Sequence, residues 1–287
     1  MKNGMKTAVL LGGMAGLMML VGRVLGGSGG LTIAAILAFG MVGYSYWFSD
    51  KLAIRSAKAV EVSQAQVPQY YAVMHELTTN AGLPMPRLYV SPEMQPNAFA
   101  TGRNPDNAAV CVTQGLLQTL SWDEIRGVLA HELAHIRNRD ILTGSVAAAI
   151  ATAISYAANM VMWSGMMGGG RRDRNDGNPI IALAFALLAP MAAGIIQAAI
   201  SRSREFEADR RAAIMIGDGE PLARALEKLN GFSQQIVSEV PPPQASHYIV
   251  NPLAGRRVSM ANLFSTHPPA AERIARLRSG DWASPIG

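Results

Sequence analysis

A single cysteine, Cys111, stands in the 287 residues, so no internal disulfide is possible and the folded part suits a reducing compartment. Cys111 itself reads as a small apolar strand residue. No internal repeat is visible, and charged residues are scarce at 16% against 49% hydrophobic. The net charge of +5 does not point to nucleic acid, because the Lys and Arg residues carry no aromatic interleaving and gather beside apolar runs. Charge is scarcest in four stretches, at about 7 to 25, 31 to 48, 141 to 164 and 179 to 200. Each is long and apolar enough to be read as a membrane helix.

The first stretch follows Lys2 and Lys6 and could pass for a signal peptide. The glycine-rich turn at 26 to 30 and the second apolar run directly behind it favour a retained helical hairpin instead. Four spans give two hairpins, 1–50 and 141–200, alternating with polar segments 51–140 and 201–287. Lys51, Arg55, Lys58, Arg137, Arg139, Arg202, Arg204, Arg210 and Arg211 then share a side with both termini, and by the positive-inside rule that side is cytoplasmic. Arg171, Arg172 and Arg174 fall on the other side, diluted by Asp173 and Asp176.

The polar segments carry the chemistry. His131-Glu132-Leu133-Ala134-His135 places two imidazoles four residues apart, on one face of a helix one turn from each other, where both reach one metal ion. Glu132 lies about 100° round the helix, badly placed as a third ligand but able to reach a water activated at the metal, which makes it the candidate general base. The plainer reading is a surface helix with solvated histidines. Ser121 as N-cap, Asp123 and Glu124 in the first turn, and Trp122, Ile125, Val128, Leu129, Leu133 and Ile136 at helical spacing predict an amphipathic helix over 121–139. His75-Glu76 resembles the motif, but position 79 is Thr and no second ligand follows.

A catalytic zinc keeps three protein ligands and an open position. The third is expected to be an acid on another helix, and Glu205 and Asp209, four apart on one face, can supply one ligand and one residue to orient a ligand His. Glu207 lies about 200° from Glu205 and has Arg211 four residues on, so it reads as a solvated ion pair. Because the third apolar stretch begins just after His135, only a return through a second span brings Glu205 back to the same side. Upstream, Arg87 to Val90, Asn97 to Thr101 and Ala108 to Thr113 are strand candidates, separated by proline- and asparagine-rich turns, and predict a small antiparallel sheet. Asn97-Ala98-Phe99-Ala100 is the candidate edge strand for a substrate backbone, with a merely half-buried strand as the alternative. Helices are predicted over 68–79, 210–216, 221–236 and 270–278.

Taken together, His131-Glu132-x-x-His135, the hydrophobic hairpin, Ser201-Arg202-x-Arg204-Glu205-Phe206-x-Ala208-Asp209, Asn97-Ala98-Phe99-Ala100-Thr101-Gly102 and His267-Pro268-Pro269 resemble the HtpX family of membrane proteases. These are bacterial heat-shock zinc endopeptidases of the inner membrane, kin to the CAAX prenyl proteases. The resemblance implies a mainly α integral membrane protein, with a four-helix transmembrane part and a gluzincin-type metalloprotease domain. It also implies one zinc per subunit held by His131, His135 and Glu205, and a cytoplasmic site. Further implications are a role in degrading misfolded membrane proteins together with the FtsH protease, and a place near the substrate for His267. His267 is then the candidate donor to the tetrahedral oxyanion, backed by Arg273. A scaffold of the same fold without catalysis is the rival from another class, disfavoured by the intact Glu132 and ligands. A zinc hydrolase acting on a non-peptide substrate is a third, disfavoured by the edge-strand candidate.

Overall fold

The computed structural model describes residues 53–140, 204–235 and 268–283 continuously, together with separate positions between 16 and 51 and at 188, 191 and 202. The chain forms two compact units, one of Met1–Tyr46 and Thr143–Ile200, the other of Trp47–Leu142 and Ser201–Gly287. In the first unit residues 27–37 are helical and Ile33, Ile36 and Leu37 are exposed. A Cβ on Gly22 would lie 2.6 Å from the Gly30 carbonyl oxygen, so only glycine permits that approach. Among the described residues no helix is long and apolar enough to cross a membrane. The stretches 7–25, 141–164 and 179–200 lie largely or wholly outside those residues, and 31–48 is described only at 31–37, 40, 47 and 48.

The second unit is mainly helical around a four-stranded sheet. Its described elements run β1 (Val60–Glu61), α1 (Pro68–Ala81), β2 (Arg87–Ser91), β3 (Ala98–Gly102), β4 (Ala108–Thr113), α2 (Gln114–Thr119), α3 (Trp122–Asn138), α4 (204–216), α5 (Glu220–Gln235) and α6 (Ala270–Ser279). The sheet order is β1-β2-β4-β3. The sheet is mixed, which corrects the antiparallel expectation: β3 is not seated beside β2, so β4 slots between them, antiparallel to β3 and parallel to β2. All six residues of β4 are buried, as befits a central strand covered on both faces. Its alternate residues divide between two cores. Val110 and Val112 face the main core with Leu88, Ala98, Ala100, Val128 and Leu129, while Ala109 and Cys111 join Tyr89 and Phe99 against Ala53 and Ile54. Burial pushes the Cys111 thiol up to about 12, which leaves it an inert packing residue.

Helix α3 is set by its ends. Ser121 and Glu124 form a reciprocal capping box, the Ser121 N–H donating to Glu124 at 2.8 Å. Lys228 of α5 donates to the same carboxylate at 2.8 Å. Gly127 lets α5 pack backbone to backbone, since a Cβ there would lie 2.6 Å from the Leu222 nitrogen. At the other end Arg139 takes the left-handed conformation, φ 58°, and its N–H closes on the carbonyls of His135 and Ile136.

Candidate active site

The residues of the helical motif are held rigidly. His131 and Glu132 are buried on α3, and His135 is nearly so. Across from them α4 buries Ala208, Ala212 and Ala213 together with Glu205 and Asp209. Small side chains on that face let the two helices approach closely enough for side chains to converge. His131 Nε2 and His135 Nε2 are 3.1 Å apart, His135 Nε2 is 3.5 Å from Glu205 Oε1, and His131 Nε2 is 3.7 Å from Glu205 Oε2. Glu207 points elsewhere, accepting from Arg211 Nε at 2.7 Å.

The outer nitrogens fix the tautomers. His131 Nδ1 lies 2.9 Å from Asp209 Oδ1, and His135 Nδ1 lies 3.2 Å from Asp140 Oδ2. With a carboxylate at each Nδ1, the proton is assigned there and both Nε2 lone pairs face a common point. Two lone pairs at 3.1 Å repel unless a cation or a proton lies between them. The donor separations also suit one ion, since tetrahedral ligands at about 2.0–2.1 Å stand roughly 3.3 Å from each other. His131, His135 and Glu205 therefore fit a metal, and two imidazoles with one carboxylate is a donor set that zinc favours.

Electrostatics follow from burial and charge. Burial pushes the Glu132 carboxyl up to about 7, with Glu205 adding to the rise and His135, the Ala100 amide and Arg273 opposing it. Burial works to lower His135, yet the carboxylates of Asp140 and Glu205 outweigh it and raise this imidazole to about 10. At His131 burial prevails over Asp209 and lowers it. Burial works to raise Asp209, and the Arg273 guanidinium overcomes it, with help from His131.

Arg273, on α6, is 1% exposed. Its Nε and Nη2 donate to the two oxygens of Asp209 at 2.8 and 2.7 Å, and its Nη1 lies 3.0 Å from Glu205 Oε2. It therefore stands behind the metal-site cluster, bracing Asp209 and Glu205. His267 lies outside the described residues. Asn97, Ala98, Phe99 and Ala100 are buried, and β3 is the end strand of the sheet among the described residues. The Thr113 N–H donates to Asn97 O at 2.9 Å, so by alternation Ala98 and Ala100 turn their backbone groups away from β4, and the Ala100 amide bonds Glu132. Sequence reasoning missed Asp140 and Arg204. Asp140 comes five residues after His135, off its face on a continuous helix, and the left-handed Arg139 brings it back.

Residues 64–281 match Peptidase family M48. The chain belongs to that family. The likeness to the HtpX family holds as well. The chain is 51% identical to a Protease HtpX homolog of Syntrophobacter fumaroxidans, over 97% of this chain and all of that one. It is 50% identical to one of Burkholderia mallei, over 96% of both. The crystal structure of S. mikatae Ste24p is similar in fold, with a TM-score of 0.56 at 20% identity, covering 96% of this chain. This chain spans 65% of that protein's length. Family and relatives make the chain a metalloprotease, and His131, His135 and Glu205 are the cluster among its described residues that could hold the metal.

Proposed function

We propose that this metalloprotease is a zinc-dependent endopeptidase of the bacterial inner membrane that cleaves polypeptides, misfolded membrane proteins among them, from a site facing the cytoplasm. The observation that carries it is the convergence of two Nε2 atoms and the Glu205 carboxylate, with Glu132 one residue along from His131. A zinc ion held by His131, His135 and Glu205 would supply a Lewis acid able to acidify water and polarise the scissile carbonyl. Glu132, lifted by burial towards neutrality and steadied by the Ala100 amide, takes the proton from the attacking water and passes it to the leaving amine. The outward backbone groups of β3 at Ala98 and the Ala100 carbonyl, with Asn97 and Phe99 alongside, align the substrate as an added strand. His267 donates to the developing oxyanion. Asp209 fixes the His131 tautomer, and Arg273 positions Asp209 and Glu205.

The membrane placement rests on the four apolar stretches, on the basic residues flanking them, and on the helix through 27–37 with its exposed Ile33, Ile36 and Leu37. Cooperation with the FtsH protease in quality control is carried over from the resemblance. The test is Glu132→Gln in the full chain. It should keep zinc and lose at least about 10²-fold in casein hydrolysis, as removal of a general base does. Hydrolysis at the parent rate would sink the assignment, while a parent chain that binds zinc but cleaves nothing would favour the scaffold reading.

A further inference from the structure

Two residues around the site have no part in the reaction described above. Asp140 directly precedes the apolar stretch at 141–164, and Arg204 follows the one at 179–200, next to Glu205. They meet in space. Arg204 Nη1 donates to the Asp140 carbonyl at 3.1 Å, and Arg204 Nε lies 3.5 Å from Asp140 Oδ1. The other carboxylate oxygen, Oδ2, lies 3.2 Å from His135 Nδ1. Both side chains are largely buried, Asp140 at 16% and Arg204 at 11% exposure.

We infer that Asp140 and Arg204 form a clasp that positions His135 for metal and ties together the two points where the chain leaves and rejoins the catalytic unit. The inference rests on the ligand set proposed above. A neutral imidazole carries one ring proton, and the partner of one nitrogen decides which nitrogen is left to bind a metal. Asp140 is that partner for His135. A carboxylate on a chain turn is free to rotate unless something holds its far side. Arg204 does so twice, through the backbone carbonyl and the second carboxylate oxygen, so Oδ2 stays aimed at the ring. The turn itself is costly: Arg139 is one of two described non-glycine residues at positive φ, and this conformation folds Asp140 back over its own helix.

A plainer account would make Arg204 a local charge acting through space, and the two accounts differ in sign. As a charge, Arg204 repels a divalent cation, so its removal should tighten zinc binding. As a clasp, its removal frees Asp140 and should weaken zinc binding. Zinc dissociation constants by chelator competition decide between them, using the full chain in detergent with folding checked by near-ultraviolet circular dichroism. Asp140→Asn should weaken zinc by about 10–100-fold, the usual cost of losing an outer partner of a ligand His. Arg204→Gln should weaken it several-fold, and the double variant should be no worse than Asp140→Asn alone. Binding by Arg204→Gln that is unchanged or tighter, parent-like binding by Asp140→Asn, or full addition of the two effects overturns the clasp. If Arg204→Gln does not fold, Arg204→Lys carries the test at constant charge: weaker zinc supports the clasp and parent-like zinc overturns it. Glu205→Gln is measured alongside, since retention of zinc there would remove the ligand set itself.

Discussion

Replacing Arg273 by Met removes one cation from between two buried carboxylates. Its guanidinium makes paired contacts with Asp209 at 2.8 and 2.7 Å and reaches Glu205 at 3.0 Å, with side-chain exposures of 1% for Arg273, 5% for Asp209 and 6% for Glu205. At such burial, solvent screening hardly reduces the interaction. Removing one partner of a buried pair costs about 3–5 kcal/mol, most of it from the charge left behind. That is a large share of the roughly 5–15 kcal/mol that holds a domain folded. In a unit of about 150–250 residues each kcal/mol moves the midpoint by roughly 2–4 °C, so the expected fall is about 6–20 °C. The assay is calorimetry of the detergent-solubilised, metal-free chain at one fixed scan rate, because unfolding of such proteins is often irreversible. Arg278→Met is the matched control, since Arg278 also bridges two carboxylates, Glu220 and Glu227, but on the solvent-exposed surface. Loaded zinc should shrink the Arg273→Met effect, as the ion's charge partly replaces the lost cation beside Glu205. A midpoint for Arg273→Met no lower than that of Arg278→Met would refute the reasoning.

Zinc content after dialysis should fall sharply for Glu205→Gln and stay at the parent level for Glu207→Gln, whose carboxylate is spent on Arg211; the reverse result would exchange their roles. Burial works to raise Glu124, yet Lys228 and the Ser121 amide outweigh it and hold the carboxyl below its ordinary range. That pair therefore stabilises the fold above the unfolded carboxyl value of about 4.5 and loses its contribution as pH falls through the lower folded value. Lys228→Met should flatten this acid limb of stability, and an unaltered limb in an acid titration would count against it. A cysteine placed at Gly169 should be labelled only from the periplasmic side, and labelling confined to the cytoplasmic side would exclude the four-span topology.

What could be read from the sequence was what is local. Helix α3 runs from Trp122 to Asn138 against an expected 121–139, because the capping box and the apolar spacing both act within a few residues. The strands at 87–91, 98–102 and 108–113 were announced by the turns around them. Their order was not, because pairing β4 with β2 depends on a chain path that no turn residue encodes. β1 spans only two residues and carries no periodic signal. The convergence of His131, His135 and Glu205, which could hold a metal, was legible through spacing by four. The contact of Arg273 with Asp209 and Glu205 was not legible, because no local spacing announces that α6 carries its guanidinium to α4. Asp140 was illegible for a different reason: Arg139 adopts a glycine-like conformation with nothing in its side chain to announce it.

The charge balance of the buried cluster explains why the pieces need one another. Among the described residues, Glu132, Glu205, Asp209 and Asp140 face Arg273 and Arg204, so two negative charges remain once the guanidiniums are counted. One divalent cation cancels them. In its absence protons do the same work: Asp140 and Glu205 outweigh burial and raise His135, so an imidazole between two carboxylates retains a proton, while burial, aided by Glu205, holds Glu132 near neutrality. Zinc must displace the His135 proton to bind, and its charge must lower Glu132. Zinc binding at pH 7 should therefore release at least about one proton per site. Calorimetric titration in buffers of different ionisation enthalpy measures the number directly. The release should fall as pH rises towards 10, and apparent zinc affinity should rise over the same range. Binding at pH 7 with no proton released would mean that the carboxylates do not hold a proton in the metal-free site, and the charge argument would fail with it.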